Sequence, residues 1–363
     1  MFITYILQQK KAPNRNSLEG VLRPLRAGNQ RPTTAEWARV SFPFNVYAAA
    51  LIGGAVVSLF SLPGWRTWCV RTGLVDDPGR RKIHHQPVPL AGGLAVFTGL
   101  LVPLAMSALL LALHPFPITE AAAMAHGFER RGGQLGVVLG GALGMVLLGW
   151  LDDKYELPPA VKFGGQVLVA LGVAFAGIRI TLFVPSLVFS MAVTVLWIVT
   201  VTNAFNFMDN MNGLCAGLGA IGSFFFAVKA AVAGQYLVTA TGLLTFGALL
   251  GFLPSNFPRA SVFLGDAGSH LVGFLLSVLA ILPHFYSKDH PVALAVLNPL
   301  LILAVVLGDM AWVVVLRWRL GKPVYVGDNN HLSHRLVRRG LSQTRAVLVI
   351  WLLATLTGTL AFL

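Results

Sequence analysis

The sequence predicts an all-α fold, a polytopic helical bundle lying in a membrane. Two observations carry that prediction. Of 363 residues, 56% are hydrophobic and only 11% charged, whereas a soluble domain carries about 25% charged residues. Apolar runs approaching the roughly 20 residues that a bilayer-spanning helix needs also recur along the whole chain. Ten candidates fall near residues 43–63, 90–113, 134–151, 164–178, 187–203, 213–233, 236–253, 266–283, 292–316 and 345–363. They leave no room for a soluble domain of ordinary size.

In chain order, a basic tail 1–40 precedes a single transmembrane domain, 41–363. The opening "MFITYILQQKK" has too short an apolar stretch and no small-residue cleavage site, so no cleavable signal peptide is expected. The first two spans flank "DDPGRRKIHHQPVPLAGG", and the third ends in "GWLDDKYELPPAVKF" ahead of the fourth. The fifth runs into "NAFNFMDNMNGL", and the sixth and seventh form a hairpin. The eighth opens with "SVFLGDAGSHLVGF", and "GDNNHLSHRLVRRGLS" separates the ninth from the tenth. Cys69 and Cys215 have no metal-like spacing and read as packing residues.

Ten spans fix which loops share a side. Loops 64–89, 152–163, 204–212, 254–265 and 317–344 hold fourteen Lys/Arg, while the opposite loops hold four (Arg130, Arg131, Arg179, Lys288). The positive-inside rule makes the first side cytoplasmic. The acids sort the same way: Asp76, Asp77, Asp152, Asp153, Glu156, Asp209, Asp266 and Asp328 lie on that side, and Glu120, Glu129 and Asp289 opposite. The tail conflicts, with seven Lys/Arg against two Glu on the side parity places outside. A translocated tail, a miscounted span or a downstream start would each account for it. The net charge of +13 raises nucleic acid as a partner, but these charges sit in loops between spans and form no basic face on a soluble module.

Five loops on the first side could carry chemistry. Asn203, Asn206 and Asp209 recur every three residues, near one helical face, with Asn210 and Asn212 just beyond. Such oxygens suit a hard cation like Mg²⁺, or equally serve as caps and interhelical hydrogen bonds. Asp152 and Asp153 repel unless a cation or base sits between them; taken alone, a cap and a solvated acid explain them. Asp266 between Gly265 and Gly268 offers a helix N-terminus to phosphate, or is itself an N-cap. His331 and His334, one turn apart and followed by Arg335, Arg338 and Arg339, suit phosphate better than zinc, or form a basic helix resting on headgroups. Arg81, Lys82 and His84 read in isolation as a solvated charge run. Their shared side is what joins them: acidic oxygens for a cation and basic groups for phosphate describe a phosphoryl-transfer site.

Together these motifs resemble the polyprenyl-phosphate N-acetylhexosamine-1-phosphate transferases, over about residues 64–345 and in the family's order. The loop "DDPGRRKIHHQPVPLAGG" is similar to the branch that uses UDP-GlcNAc; the branch using UDP-MurNAc-pentapeptide usually differs there. The resemblance implies attack of undecaprenyl phosphate, a polyprenyl phosphate lipid, on a UDP-N-acetylhexosamine in the bacterial cytoplasmic membrane. It implies Mg²⁺, or Mn²⁺, on Asn206 and Asp266, with Asp209 in or near that shell. Asp152 is the candidate base or nucleophile with Asp153 beside it. Asn203 and Asn212 would serve the nucleotide, with Lys162 near the phosphates. His331, His334 and Arg335 would contact diphosphate, and Arg81, Lys82 and His84 complete a basic rim. Asp309 in "GDMAW" matches a family carboxylate that also fits helix packing. Ser333 departs from the family's usual His, and Asn210 from its usual Gly. A homodimer in the membrane stays open. The rival class is a secondary transporter, which would bury its charges near the midplane between repeats.

Overall fold

The computed structural model describes residues 42–76, 87–113, 118–181, 184–283, 297–323 and 329–363, and over 118–131 the backbone alone. The tail 1–40 and the segment with Arg81, Lys82 and His84 lie outside the described residues. Helix α1 spans Phe44–Thr72, α2 Gly92–Ala112, α3 Ile118–Tyr155, α4 Pro159–Phe175, α5 Leu187–Met208 and α6 Leu214–Val232. Then follow α7 Tyr236–Asn256, α8 Gly265–Leu279, α9 Asn298–Ile302, α10 Ala304–Arg319, α11 Leu332–Arg338 and α12 Gln343–Leu360. Two short strands, β1 (Val75–Asp76) and β2 (Val88–Pro89), pair antiparallel with Val75 opposite Pro89. Residues Phe42–Leu363 cluster as one unit.

Each predicted span falls on a helix, with three differences. α3 reaches back to Ile118, because "ITEAAAMAHGFERR" is rich in helix formers and continues the helix beyond the apolar run. α1 runs on to Thr72, where Gly73 turns left-handed (φ 70°) and its N–H meets the Cys69 and Val70 carbonyls. The predicted span 292–316, described from residue 297 onward, comes there as two helices parted at Leu303. Among the described residues seven helices are long and apolar enough to cross a membrane, while α4 and α8 are shorter apolar helices. At 1.5 Å per residue a helix of 15 residues covers about 22 Å, less than a bilayer core of about 30 Å. The molecule is an all-α polytopic membrane protein. Phe60, Leu168, Val188 and Val232 are each more than 70% exposed, a surface that suits lipid rather than water.

α8 does not need to match the bilayer, since α2, α3, α5, α6 and α7 pack around it. Every residue of α8 is buried except Asp266, in its first turn. Its N-terminal end is tied to neighbouring chain: Gly92 N–H donates to the Phe263 carbonyl and Gly93 N–H to that of Leu264, both at 3.0 Å. Phe263 N–H in turn donates to the Pro89 carbonyl at 2.9 Å. The C-terminus of α1 and the N-termini of α2 and α8 therefore meet at one end of the bundle.

Candidate active site

The site is built on that end of α8. Asp153, in the last turn of α3, reaches across and takes Asp266 N–H on Oδ1 (2.8 Å) and Ala267 N–H on Oδ2 (3.1 Å). A carboxylate from another helix thus caps α8, whose own N-cap residue Leu264 makes no side-chain cap. The geometry needs glycine at two points. Gly265 has φ +73°, and a Cβ there would sit 2.8 Å from Asp153 Oδ2. A Cβ on Gly149 would collide with the Asp266 backbone.

Asp152, one residue earlier and about 100° round the helix, faces elsewhere. It is 3% exposed; Oδ1 accepts Leu157 N–H at 2.9 Å, and Oδ2 pairs with Lys162 Nζ at 2.5 Å. Its carboxyl lies near that of Asp266. The adjacent acids therefore separate into a helix cap and a carboxyl paired with Lys162, which holds Lys162 on that carboxyl.

From α5, Asn206 donates its amide to Asp266 Oδ1 (2.8 Å) and Ser269 Oγ (2.9 Å). Asn203, one turn earlier, turns into the bundle instead. Its amide donates to the Val199 carbonyl (2.8 Å) and Gln166 Oε1 (2.6 Å). The carbonyl fixes Asn203's amide as donor, so Gln166 Oε1 accepts and Gln166 Nε2 donates to His270 Nε2 at 3.2 Å. This interior chain joins α4, α5 and α8. Asp209 follows α5 as its C-cap residue. No hydrogen bond reaches its carboxylate from a described residue. Burial, with the nearby charge of Asp266 adding, pushes its pKa up to about 8. Asn212 donates to the Pro258 carbonyl at 3.4 Å.

A second group faces this cluster from α10 and α11. His331 Nδ1 donates to Asp309 Oδ2 at 2.6 Å, and Asp309 Oδ1 accepts Leu332 N–H at 2.5 Å. Asp309 thereby orients the imidazole, fixes hydrogen on Nδ1 and leaves Nε2 for a ligand. Phe207, next to Asn206, lies between His331 (ring centroids 5.7 Å apart) and the buried Arg317 guanidinium (5.1 Å from the ring). The His334 ring is 6.5 Å from that of His331, and Arg335 stacks on Trp312 at 4.7 Å. Asn210 Oδ1 accepts Ser333 Oγ–H at 2.7 Å, so the two family departures pair with each other and stitch α11 to the end of α5.

The sequence reading missed Gln166, His270 and Asn256. The first two do carry a signal, being polar residues inside apolar runs. Asn256 is buried and joins Gly213 N–H (2.7 Å) to the Val262 carbonyl (2.9 Å), fixing the turn after Asn212 beside the loop leading into α8.

Among the described residues, no three His, Cys, Asp or Glu side chains could hold a metal ion by themselves. Mg²⁺ does not require such a set, since it takes one or two carboxylates and completes its shell with substrate phosphates and water. Asp266, the unengaged carboxylate of Asp209 and the carbonyl oxygen of Asn206 fit such a partial shell.

Hard oxygen donors gathered at the mouth of a helical membrane bundle, facing an oriented histidine, mark a polytopic membrane transferase. The chain belongs to glycosyl transferase family 4, whose description matches residues 135–284. It is 33% identical over 312 residues to a Bacillus subtilis (strain 168) protein named "Probable undecaprenyl-phosphate N-acetylglucosaminyl 1-phosphate transferase", covering 84% of this chain and 81% of the relative. It is 36% identical over 334 residues to the decaprenyl-phosphate N-acetylglucosaminephosphotransferase of Mycolicibacterium smegmatis, covering 84% and 79%. The undecaprenyl-phosphate alpha-N-acetylglucosaminyl 1-phosphate transferase of Escherichia coli (strain K12) is 27% identical over 310 residues, covering 81% and 77%.

Proposed function

We propose that the protein transfers GlcNAc-1-phosphate from UDP-GlcNAc to undecaprenyl phosphate, giving undecaprenyl-diphosphate-GlcNAc and UMP. This is the first membrane step of a cell-envelope polysaccharide. The observation that carries the reading is the convergence of Asp152, Asn206, Asp209 and Asp266 on one end of α8, with the Asp309–His331 pair facing them. The names of the relatives supply the sugar and the lipid. The site faces the cytoplasm from the bacterial inner membrane, the side on which the parity count places most Lys and Arg. Residues 41–363 act as one transferase domain, and the tail 1–40 lies outside it.

Asp266, Asn206 and Asp209 would hold Mg²⁺, which when bound neutralises the diphosphate and the charge gathering on the phosphoryl oxygens. A phosphate oxygen of the lipid attacks the sugar-bound phosphorus in line, the bond from that phosphorus to the bridging oxygen breaks, and UMP leaves. A phosphate monoester has a second pKa near 6 and is mostly dianionic at neutral pH, so it needs little help from a base. Asp152 takes the residual proton, and Lys162 holds that carboxyl in place. Asp153 acts through α8, as the cap that positions Asp266. His331 Nε2, oriented by Asp309, contacts the diphosphate. A two-step route would need Asp152 to leave Lys162 and Leu157 N–H to attack phosphorus. A phospho-aspartate trapped on Asp152 with UDP-sugar alone would establish that route instead.

Purified protein incubated with undecaprenyl phosphate, Mg²⁺ and UDP-GlcNAc, UDP-GalNAc or UDP-MurNAc-pentapeptide separately should release UMP best with UDP-GlcNAc. Release only with UDP-MurNAc-pentapeptide would move the protein to the peptidoglycan lipid branch. No release with any UDP-sugar, alongside solute flux in vesicles, would make it a transporter.

A further inference from the structure

A cavity of about 500 Å³ opens between the last turns of α1 and the end of α7, away from the carboxylate cluster. Leu62, Arg66 and Val70 line it at successive i, i+4 positions of α1, with Arg71 beside them. The far wall is the Ser255–Val262 loop, closed by the Ser255 carbonyl, which accepts Ser261 N–H at 2.8 Å and Val262 N–H at 3.3 Å. Among the described residues the lining holds two guanidiniums and no carboxylate. Among the described residues no acid pairs with either arginine. Thr67 and Ser261 spend their hydroxyl hydrogens on the carbonyls of Pro63 and Ser255. The wall therefore offers positive charge to an anion and few neutral donors.

The surroundings fix what kind of anion. Trp65 and Trp68 meet edge to face at 5.7 Å on the same turns of α1, and Trp65 Nε1–H donates to Thr98 Oγ1 at 2.9 Å. Tryptophan and arginine together at the end of an apolar span mark the headgroup level of a bilayer. Phe60 and Val70, 76% and 58% exposed, continue the apolar surface down α1, a path for an acyl chain. A free nucleotide or inorganic phosphate would find, among the described residues, a basic wall with an apolar mouth and few further donors.

We propose that this cavity binds the phosphodiester headgroup of an anionic glycerophospholipid from the surrounding bilayer, with Arg66 and Arg71 as its phosphate ligands. A headgroup seated there ties α1 to the Ser255–Val262 loop. Val262 is held by Asn256 and stands four residues before Asp266, so the bound lipid braces the segment from which α8 starts. The proposal does not depend on which UDP-sugar the enzyme uses.

Delipidated full-length protein in a neutral detergent is titrated with phosphatidylglycerol and with phosphatidylcholine, and retained lipid is read by native mass spectrometry. Phosphatidylglycerol should bind selectively. The Arg66→Gln/Arg71→Gln variant should bind it about thirtyfold more weakly, the effect of two basic groups at a membrane surface. Arg66→Lys/Arg71→Lys should keep most of the binding. Thr67→Trp, which fills the cavity with both arginines intact, should lose it. Thermal unfolding of each variant checks that the bundle is folded. Equal retention of phosphatidylcholine, undiminished phosphatidylglycerol binding in the folded glutamine or tryptophan variants, or displacement by inorganic phosphate or undecaprenyl phosphate at matching concentration would overturn the proposal.

Discussion

Replacing Asp153 by asparagine tests the division of labour between the two adjacent acids. In the wild type two backbone N–H groups, those of Asp266 and Ala267, end on the two oxygens of Asp153. Asparagine keeps one acceptor and turns an NH₂ group toward the other donor. A buried N–H left without a partner costs about 1–3 kcal/mol, and losing a charged cap at a helix N-terminus costs about 0.5–2 kcal/mol. Removing a negative charge near Asp266 offsets part of this. The expected net loss is about 2 kcal/mol, concentrated at the end of α8. Because Asp266 sits in the turn that Asp153 holds, kcat should fall about tenfold or more. Thermal unfolding in detergent, read by near-ultraviolet circular dichroism, measures the first effect, and a UMP-release assay the second. Asp152→Asn made in parallel should lose more activity and less stability. An Asp153→Asn protein with wild-type stability and wild-type kcat would refute the capping argument.

Three further outcomes follow from the same geometry. Asp152→Asn should lower kcat about 100-fold near pH 6 and recover partly by pH 8, where the attacking phosphate is already dianionic; a flat pH profile would remove Asp152 from the proton path. Asp309→Asn should turn the His331 ring toward the wrong tautomer and raise the KM for UDP-sugar about tenfold, read by initial rates, while a wild-type KM would detach the pair from diphosphate binding. Chelation of Mg²⁺ should stop UMP release. With the Asp209 pKa raised to about 8, protons compete with the ion below that pH, so Mg²⁺ titrations should show affinity falling about tenfold per pH unit from 8 toward 6 and levelling above 8.

The spans were legible because a bilayer imposes length and apolarity on each helix separately. The ends of α1 and α3 were not, since both continue through polar sequence that is merely good helix. The meeting of loops at one end of the bundle was also legible, from parity alone. Within the site, residue types could be read but partners could not. Asp152 and Asp153 look alike in sequence, and only the approach of α8 at Gly149 and Gly265 makes one of them a cap. Asn203 and Asn206 share a face, yet one meets Gln166 and the other Asp266 because α4 and α8 flank that face at different depths. Asp309 and His331 were noticed separately, and a sequence separation of 22 hides their contact. Asn210 and Ser333 look like two unrelated departures until the fold shows a single hydrogen bond between them.

The enclosure of α8 has a practical consequence. A rod wedged among five neighbours and open to the outside at one residue works like the keystone of a vault: its tip moves only if the masonry around it does. Harsh solubilisation that slackens the outer helices should therefore silence the protein well before its helical signal fades. A search for conditions that preserve it is better guided by turnover than by secondary-structure content.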